Sequence, residues 1–127
     1  MRGNTNAQAD TTIVTTGLGT VEGGCTLEAE HNPIRWCKKG NICTVIYAIR
    51  LPASYSSGYT QYIMATGLPG CVVGAYPYAS QGLSVDGQSD SGGALAFVNT
   101  VGHLYILTRH QSMASKVVIG SVTYITA

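Results

Sequence analysis

Charged side chains are scarce in this chain. Seven Lys and Arg and six Asp and Glu are spread over 127 residues, 10% of the total, where a soluble domain usually carries about 25%. Ser, Thr, Gly, Asn and Gln must cover most of the surface, and burial against identical subunits would account for part of the deficit. The formal net charge is +1, and Lys38-Lys39 is the only adjacent cationic pair. The clustered Lys and Arg that capture nucleic acid or an anionic membrane surface are missing, so no nucleic-acid partner is expected. No apolar run approaches the about 18 residues needed to cross a bilayer, so no membrane insertion is expected. Met1-Arg2-Gly3-Asn4 opens a polar stretch without the apolar segment of a signal peptide, which argues against Sec-type export. The four cysteines, Cys25, Cys37, Cys43 and Cys71, have neither paired zinc-site spacing nor the density of a disulfide scaffold, and they read as buried or half-buried free thiols. Whether Cys37 and Cys43 are bridged across the turn between them stays open.

Helical periodicity is also missing. No window long enough for a helix repeats apolar residues at i, i+3, i+4 and i+7, while Gly, Pro and Ser-rich breaks arrive at short intervals. What is present is alternation. Over 42–50, Cys43, Val45, Tyr47 and Ile49 alternate with Ile42, Thr44, Ile46 and Ala48, so both faces are largely apolar, as in a central strand covered on both sides. Further strands are expected at 12–15, 25–30, 34–39, 59–66, 83–86, 94–99, 104–108 and 117–125. A tight hairpin between Asn99 and His103 joins two of them. Short strands with short turns predict an all-β antiparallel sandwich, jelly-roll-like. The length suits one domain. Residues 1–10 read as a flexible arm or shaft remnant and 11–127 as the sandwich.

Catalytic chemistry finds little support. Asp90-Ser91-Gly92-Gly93 matches the nucleophile string of chymotrypsin-like proteases. A serine hydroxyl is a weak nucleophile until an oriented His removes its proton. His31 is the only His upstream of it, in Glu28-Ala29-Glu30-His31-Asn32, a setting unlike that family's, and Asp86 lies too close to Ser91 to be the family's orienting acid. The string reads as a Gly and Ser-rich loop, and no enzyme activity is expected, with a serine hydrolase using Ser91 as the remote alternative. Glu28 and Glu30 share a strand face but read as solvated residues, not as a glycosidase pair. His31, His103 and His110 show no metal-ligand spacing, so neither metal nor cofactor is expected. A three-fold assembly could still collect copies of one His on its axis, which leaves an axial ion open.

Tyrosines are more suggestive. Tyr55, Tyr59, Tyr62, Tyr76 and Tyr78 cluster in the Ser, Gly and Pro-rich middle of the chain. A tyrosine offers a ring for the apolar face of a sugar and a hydroxyl for its polar edge. It serves equally as a half-buried strand residue. Candidate ligand-binding residues are Tyr55, Tyr59, Tyr76 and Tyr78. Asp86, Asp90, Arg109 and His110 join them, since they sit at expected strand ends or loops where they can orient hydroxyls by hydrogen bonds.

Four segments taken together resemble the C-terminal head domain of bacteriophage tail fibres and receptor-binding proteins. They are Trp36-Cys37-Lys38-Lys39-Gly40-Asn41-Ile42-Cys43-Thr44-Val45, Ala65-Thr66-Gly67-Leu68-Pro69-Gly70, the stretch 93–106 and Ile119-Gly120-Ser121-Val122-Thr123-Tyr124-Ile125. In that family an aromatic-x-Lys-x-Gly-Asn hairpin opens the sheet, a Leu-Pro-x-Gly turn follows, then a Gly-x-Leu-Tyr-Ile strand, and a Tyr-bearing strand closes the domain. Here His103 stands where a Gly, Asn or Asp is common, and Cys71-Val72-Val73 follows the Leu-Pro-Gly corner in place of Tyr-Arg-Pro. The resemblance implies a homotrimer of β-sandwiches at the distal tip of a virion's tail fibre, made in the host cytoplasm, whose partner is a host cell-surface glycan. Its motifs make the fold, so they transfer no binding residue. The alternative is a structural decoration or fibre-tip trimerisation module without a ligand.

Overall fold

The computed structural model of the chain describes residues 13–28, 34–55, 61–73, 84–86, 95–107 and 113–126. Among the described residues there are ten β-strands and no helix: β1 (Val14–Leu18), β2 (Thr20–Val21), β3 (Thr26–Leu27), β4 (Arg35–Lys39), β5 (Ile42–Arg50), β6 (Gln61–Thr66), β7 (Ser84–Val85), β8 (Leu95–Val98), β9 (Leu104–Leu107) and β10 (Val117–Ile125). They form two antiparallel sheets. The larger runs β1-β4-β5-β10-β7, with β3 paired to the far end of β5, and the smaller runs β2-β6-β9-β8. The chain changes sheet at Gly19, between β1 and β2. The architecture is the expected all-β sandwich.

The Gly40-Asn41 turn sets the register of the larger sheet. Gly40 has φ 61°, and glycine at the first central position suits the two-residue hairpin that pairs Lys39 with Ile42. From that pairing Trp36 lies opposite Val45, Cys37 opposite Thr44 and Lys38 opposite Cys43. Cys37 and Cys43 therefore point to opposite faces, since neighbouring strand positions alternate. The bridge left open by the sequence does not form. All four cysteines are free thiols, Cys37 exposed and the other three buried.

The core lies between the sheets. Cys43, Val45, Tyr47 and Ile49 of β5 and Val118, Val122 and Tyr124 of β10 meet Met64, Ala65, Ala96, Val98, Leu104 and Ile106 from the smaller sheet, all buried. Burial also holds protons. It pushes the Cys25 thiol up from 9.0 to about 11. It raises the Cys43 thiol as well, and it raises the Tyr124 hydroxyl, which is further held neutral by its hydrogen bond with Cys43. The folded chain thus retains protons that the unfolded chain releases from about pH 9 upward. Stability from the Cys25 thiol is complete below pH 9 and is lost as pH rises through about 11, and the raised Cys43 and Tyr124 groups act in the same direction. Urea titrations across pH 7 to 11 are expected to show a flat midpoint and then a decline, with a shallower decline in Cys25→Ala.

One end of the sandwich is closed by backbone hydrogen bonds among the sequence motifs. The Leu68 N–H donates to the Gly102 carbonyl at 3.2 Å and the Cys71 N–H to the Asn99 carbonyl at 3.0 Å. The Asn99 Oδ1 accepts the N–H groups of Val101 and His103 at 3.1 and 2.9 Å. The Tyr124 hydroxyl donates to the Pro69 carbonyl at 2.7 Å, and the Thr126 N–H to the Asn41 carbonyl at 2.8 Å. Segments far apart in the chain thereby become one rigid corner. Their residues make the scaffold, as their chemistry suggests.

Candidate functional site

Two of the eight candidate ligand residues fall among the described residues, and both serve the fold. Tyr55 is only 4% exposed, and its ring meets that of Tyr62 edge-on at 4.9 Å, an attractive aromatic geometry. The Tyr62 hydroxyl in turn donates to the Gly23 carbonyl. Tyr55 is a core residue, not an exposed platform, because the turn that follows β5 folds back over the sandwich with its N–H bonded to the Pro52 carbonyl at 3.1 Å. Asp86 is exposed and takes φ 51°, a left-handed conformation that Asp tolerates. Its Oδ1 accepts the Val117 N–H at 2.8 Å, its own N–H donates to the Val117 carbonyl, and its Oδ2 lies 3.7 Å from the Lys116 ammonium. Those bonds fasten the start of β10. Tyr59, Tyr76, Tyr78, Asp90, Arg109 and His110 lie outside the described residues, as do Ser91, His31 and Glu30.

The flanks of the connections that carry four of these residues are described, and they converge. Tyr55 and Gln61 bound the connection with Tyr59, Asp86 and Leu95 that with Asp90, and Leu107 and Met113 that with Arg109 and His110. Gln61 pairs with Leu107 and Leu107 with Leu95. The Lys116 N–H donates to the Met113 carbonyl, and the Ser115 N–H to the Pro52 carbonyl. All six flanks sit at the end opposite the Leu68–Gly102 corner. The sandwich thus separates a closed motif end from an end where three connections leave.

The other feature is the outer face of the larger sheet. Register places Thr16, Leu18, Arg35, Cys37, Lys39, Ile42, Thr44, Ile46, Ile119, Ser121 and Thr123 on that side. Leu18 is 58% exposed, Ile46 50%, Ile42 46% and Ile119 45%. The expectation that β5 is covered on both faces is therefore met on one face only: no described segment of this chain lies over the other. Thr44 and Thr123 join hydroxyls across it at 2.9 Å, and Arg50 pairs with Glu28 at 3.2 Å near its far edge. A recess of about 620 Å³ opens on this face between Thr16, Leu18, Arg35, Cys37, Thr44 and Ile46, with Gly17 and Trp36 between them. The Trp36 indole packs on Gly17, where a Cβ would come within 2.5 Å of the ring, and its buried Nε1 has no hydrogen-bond partner among the described residues. The same residues hold no cluster of three or more metal-ligating side chains.

In fold, the chain is similar to a phage receptor binding protein. The solved structure is that of the receptor binding protein (gp15) of Listeria phage PSA, matched with a TM-score of 0.60 over 96% of this chain and 72% of that chain. Sequence identity is 16%, so the shared property is the fold. No protein-family model matches the chain, and no curated protein is similar to it in sequence. The alternation in β5 was the one sequence signal for the outer face, since apolar residues on both sides demand two covers.

Proposed function

We propose that this protein is the head of a phage receptor-binding assembly that recognises a saccharide on the host cell surface as a homotrimer. The carrying observation is the likeness in fold to the receptor binding protein of Listeria phage PSA over nearly the whole chain. Supporting it, the four motif segments that resemble tail-fibre heads meet in one hydrogen-bonded corner, as parts of a common scaffold would. The low charge of 10% suits a surface that recognises neutral hydroxyls and meets its own copies. In this reading the virion presents the head, and the connections with Tyr59, Asp90, Arg109 and His110 supply ligand contacts at the end away from the corner. Tyr76 and Tyr78 are additional candidates.

Each saccharide contact is weak, and linking several on one rigid assembly raises the apparent affinity by roughly 10²–10⁴-fold. The test is binding of the labelled full chain to a panel of bacterial strains and to a glycan array. The expected result is strain-dependent binding, competed by the surface polysaccharide of the strains that bind and lost on replacing Tyr59, Arg109 and His110 together by alanine. Absence of any strain or glycan preference would replace this reading with that of a structural module.

A further inference from the structure

We propose that the outer face of the β1-β4-β5-β10 sheet is the surface through which copies of this chain meet, with Cys37 at its centre. This inference rests on the reading of the chain as an oligomeric head and assigns the face that holds the oligomer together.

Three observations favour a second copy as the occupant. First, β5 is apolar on both sides and the fold covers one. Leu18, Ile46 and Ile119 come from three different strands and, with Ile42, line up on the uncovered side. Aligned large aliphatic residues of this kind are the signature of an interaction surface, not of scattered surface apolar residues. Second, the residues interleaved with them, Thr16, Cys37, Thr44, Ser121 and Thr123, are small and uncharged. The charged members, Arg35, Lys39 and Arg50, are long side chains whose stems can lie along the surface while their heads reach water. Among the described residues its one acid, Glu28, is already paired with Arg50 at the edge, so the face is not a cation site and its remaining charges are Arg35 and Lys39. Apart from those few long side chains the face is uncharged, which suits the weakly charged surface of another copy, and the chain as a whole is low in charge.

Third, the size fits. Two nine-residue strands and two five-residue strands at the usual spacing of about 4.8 Å and rise of about 3.3 Å span roughly 450 Å² in projection. Both sides together then approach about 1,000 Å², the level at which a specific interface is sustained. The recess between Leu18, Cys37 and Ile46 gives the face relief into which aliphatic side chains of another copy can insert.

Cys37 reports on this arrangement without modification of the chain. It is the one exposed thiol, Cys25, Cys43 and Cys71 being buried, and burial further suppresses the thiolates of Cys25 and Cys43. The experiment measures mass by light scattering and thiol labelling by a maleimide on the same full-length sample at micromolar concentration. Wild type is expected to be an oligomer in which Cys37 resists labelling. Ile46→Arg is expected to be a folded monomer, with wild-type circular dichroism, in which a single thiol per chain reacts. Ile119→Arg, on a different strand of the same face, serves as the second variant if Ile46→Arg does not fold. An oligomer whose Cys37 labels freely, or one that persists in both Arg variants, overturns the assigned face while leaving the oligomeric head intact. A monomeric wild type overturns both.

Discussion

Gly102→Ala is expected to lose roughly 4 kcal/mol of stability, the sum of a left-handed non-glycine residue, a steric clash and weakened hydrogen bonds. Gly102 has φ 82°, and a Cβ there would stand 1.9 Å from the Leu68 carbonyl oxygen. That oxygen belongs to backbone, so it cannot rotate aside as a side chain would. The corner must open, and the bonds from Leu68 to Gly102 and from Cys71 to Asn99 lengthen together. Tyr124 is strained with them through its bond to Pro69. In a thermal melt the midpoint should fall by about 15 °C for a domain of this size. Gly40→Ala is the control. It too sits at positive φ, but its Cβ would meet nothing within 4 Å, so only the conformational cost of about 1 kcal/mol applies. If the two variants melt alike, the Leu68–Gly102 approach does not hold the corner together.

Ile49→Ala is expected to destabilise the folded chain by about 3 kcal/mol, within the range for truncating a buried aliphatic side chain. Ile49 is 0% exposed on the inner face of β5, whereas Ile46 on the outer face of the same strand is 50% exposed. Ile46→Ala should therefore cost less than about 1 kcal/mol in the unfolding of a single chain. Any larger effect of Ile46→Ala that grows with protein concentration would come from association and would agree with the proposed interface. Urea denaturation of both variants at two concentrations separates these contributions. An Ile49→Ala variant as stable as wild type would mean the space between the sheets collapses to fill the cavity.

Strand positions were legible wherever alternation was unbroken. Residues 42–50 and 117–125 emerge from the sequence with the bounds of β5 and β10, because every second side chain is apolar and faces the same core. The hairpin between Asn99 and His103 was legible for a local reason too, since the Asn99 side chain and Gly102 build the turn from within. The start of the chain was not. A strand was expected at 12–15, whereas β1 covers Val14–Leu18 and β2 continues at Thr20–Val21 in the other sheet. Gly17 and Gly19 carry no side chain to mark a face, so the pattern conceals both the strand and its change of sheet. Gly17 is there because the Trp36 indole occupies the space a Cβ would need.

Candidate site residues were less legible than strands. Tyr55 and Asp86 have the chemistry of ligand contacts, yet one ring lies against Tyr62 and one carboxylate holds Val117 and Lys116. The Asp86 contacts join residues distant in sequence, and the Tyr55 contact depends on how its turn folds over the sandwich. The sequence by itself determined the all-β class, the central hairpin with its Gly-Asn turn, and the fact that β5 has two apolar faces, because these follow from the alternation of neighbouring side chains and from the φ that glycine permits. The tertiary structure alone decided which of those faces is covered, which tyrosine is buried, and that Cys37 and Cys43 point apart. Each of these is settled by register and by packing between sheets, and packing brings together residues whose separation along the chain carries no local signal.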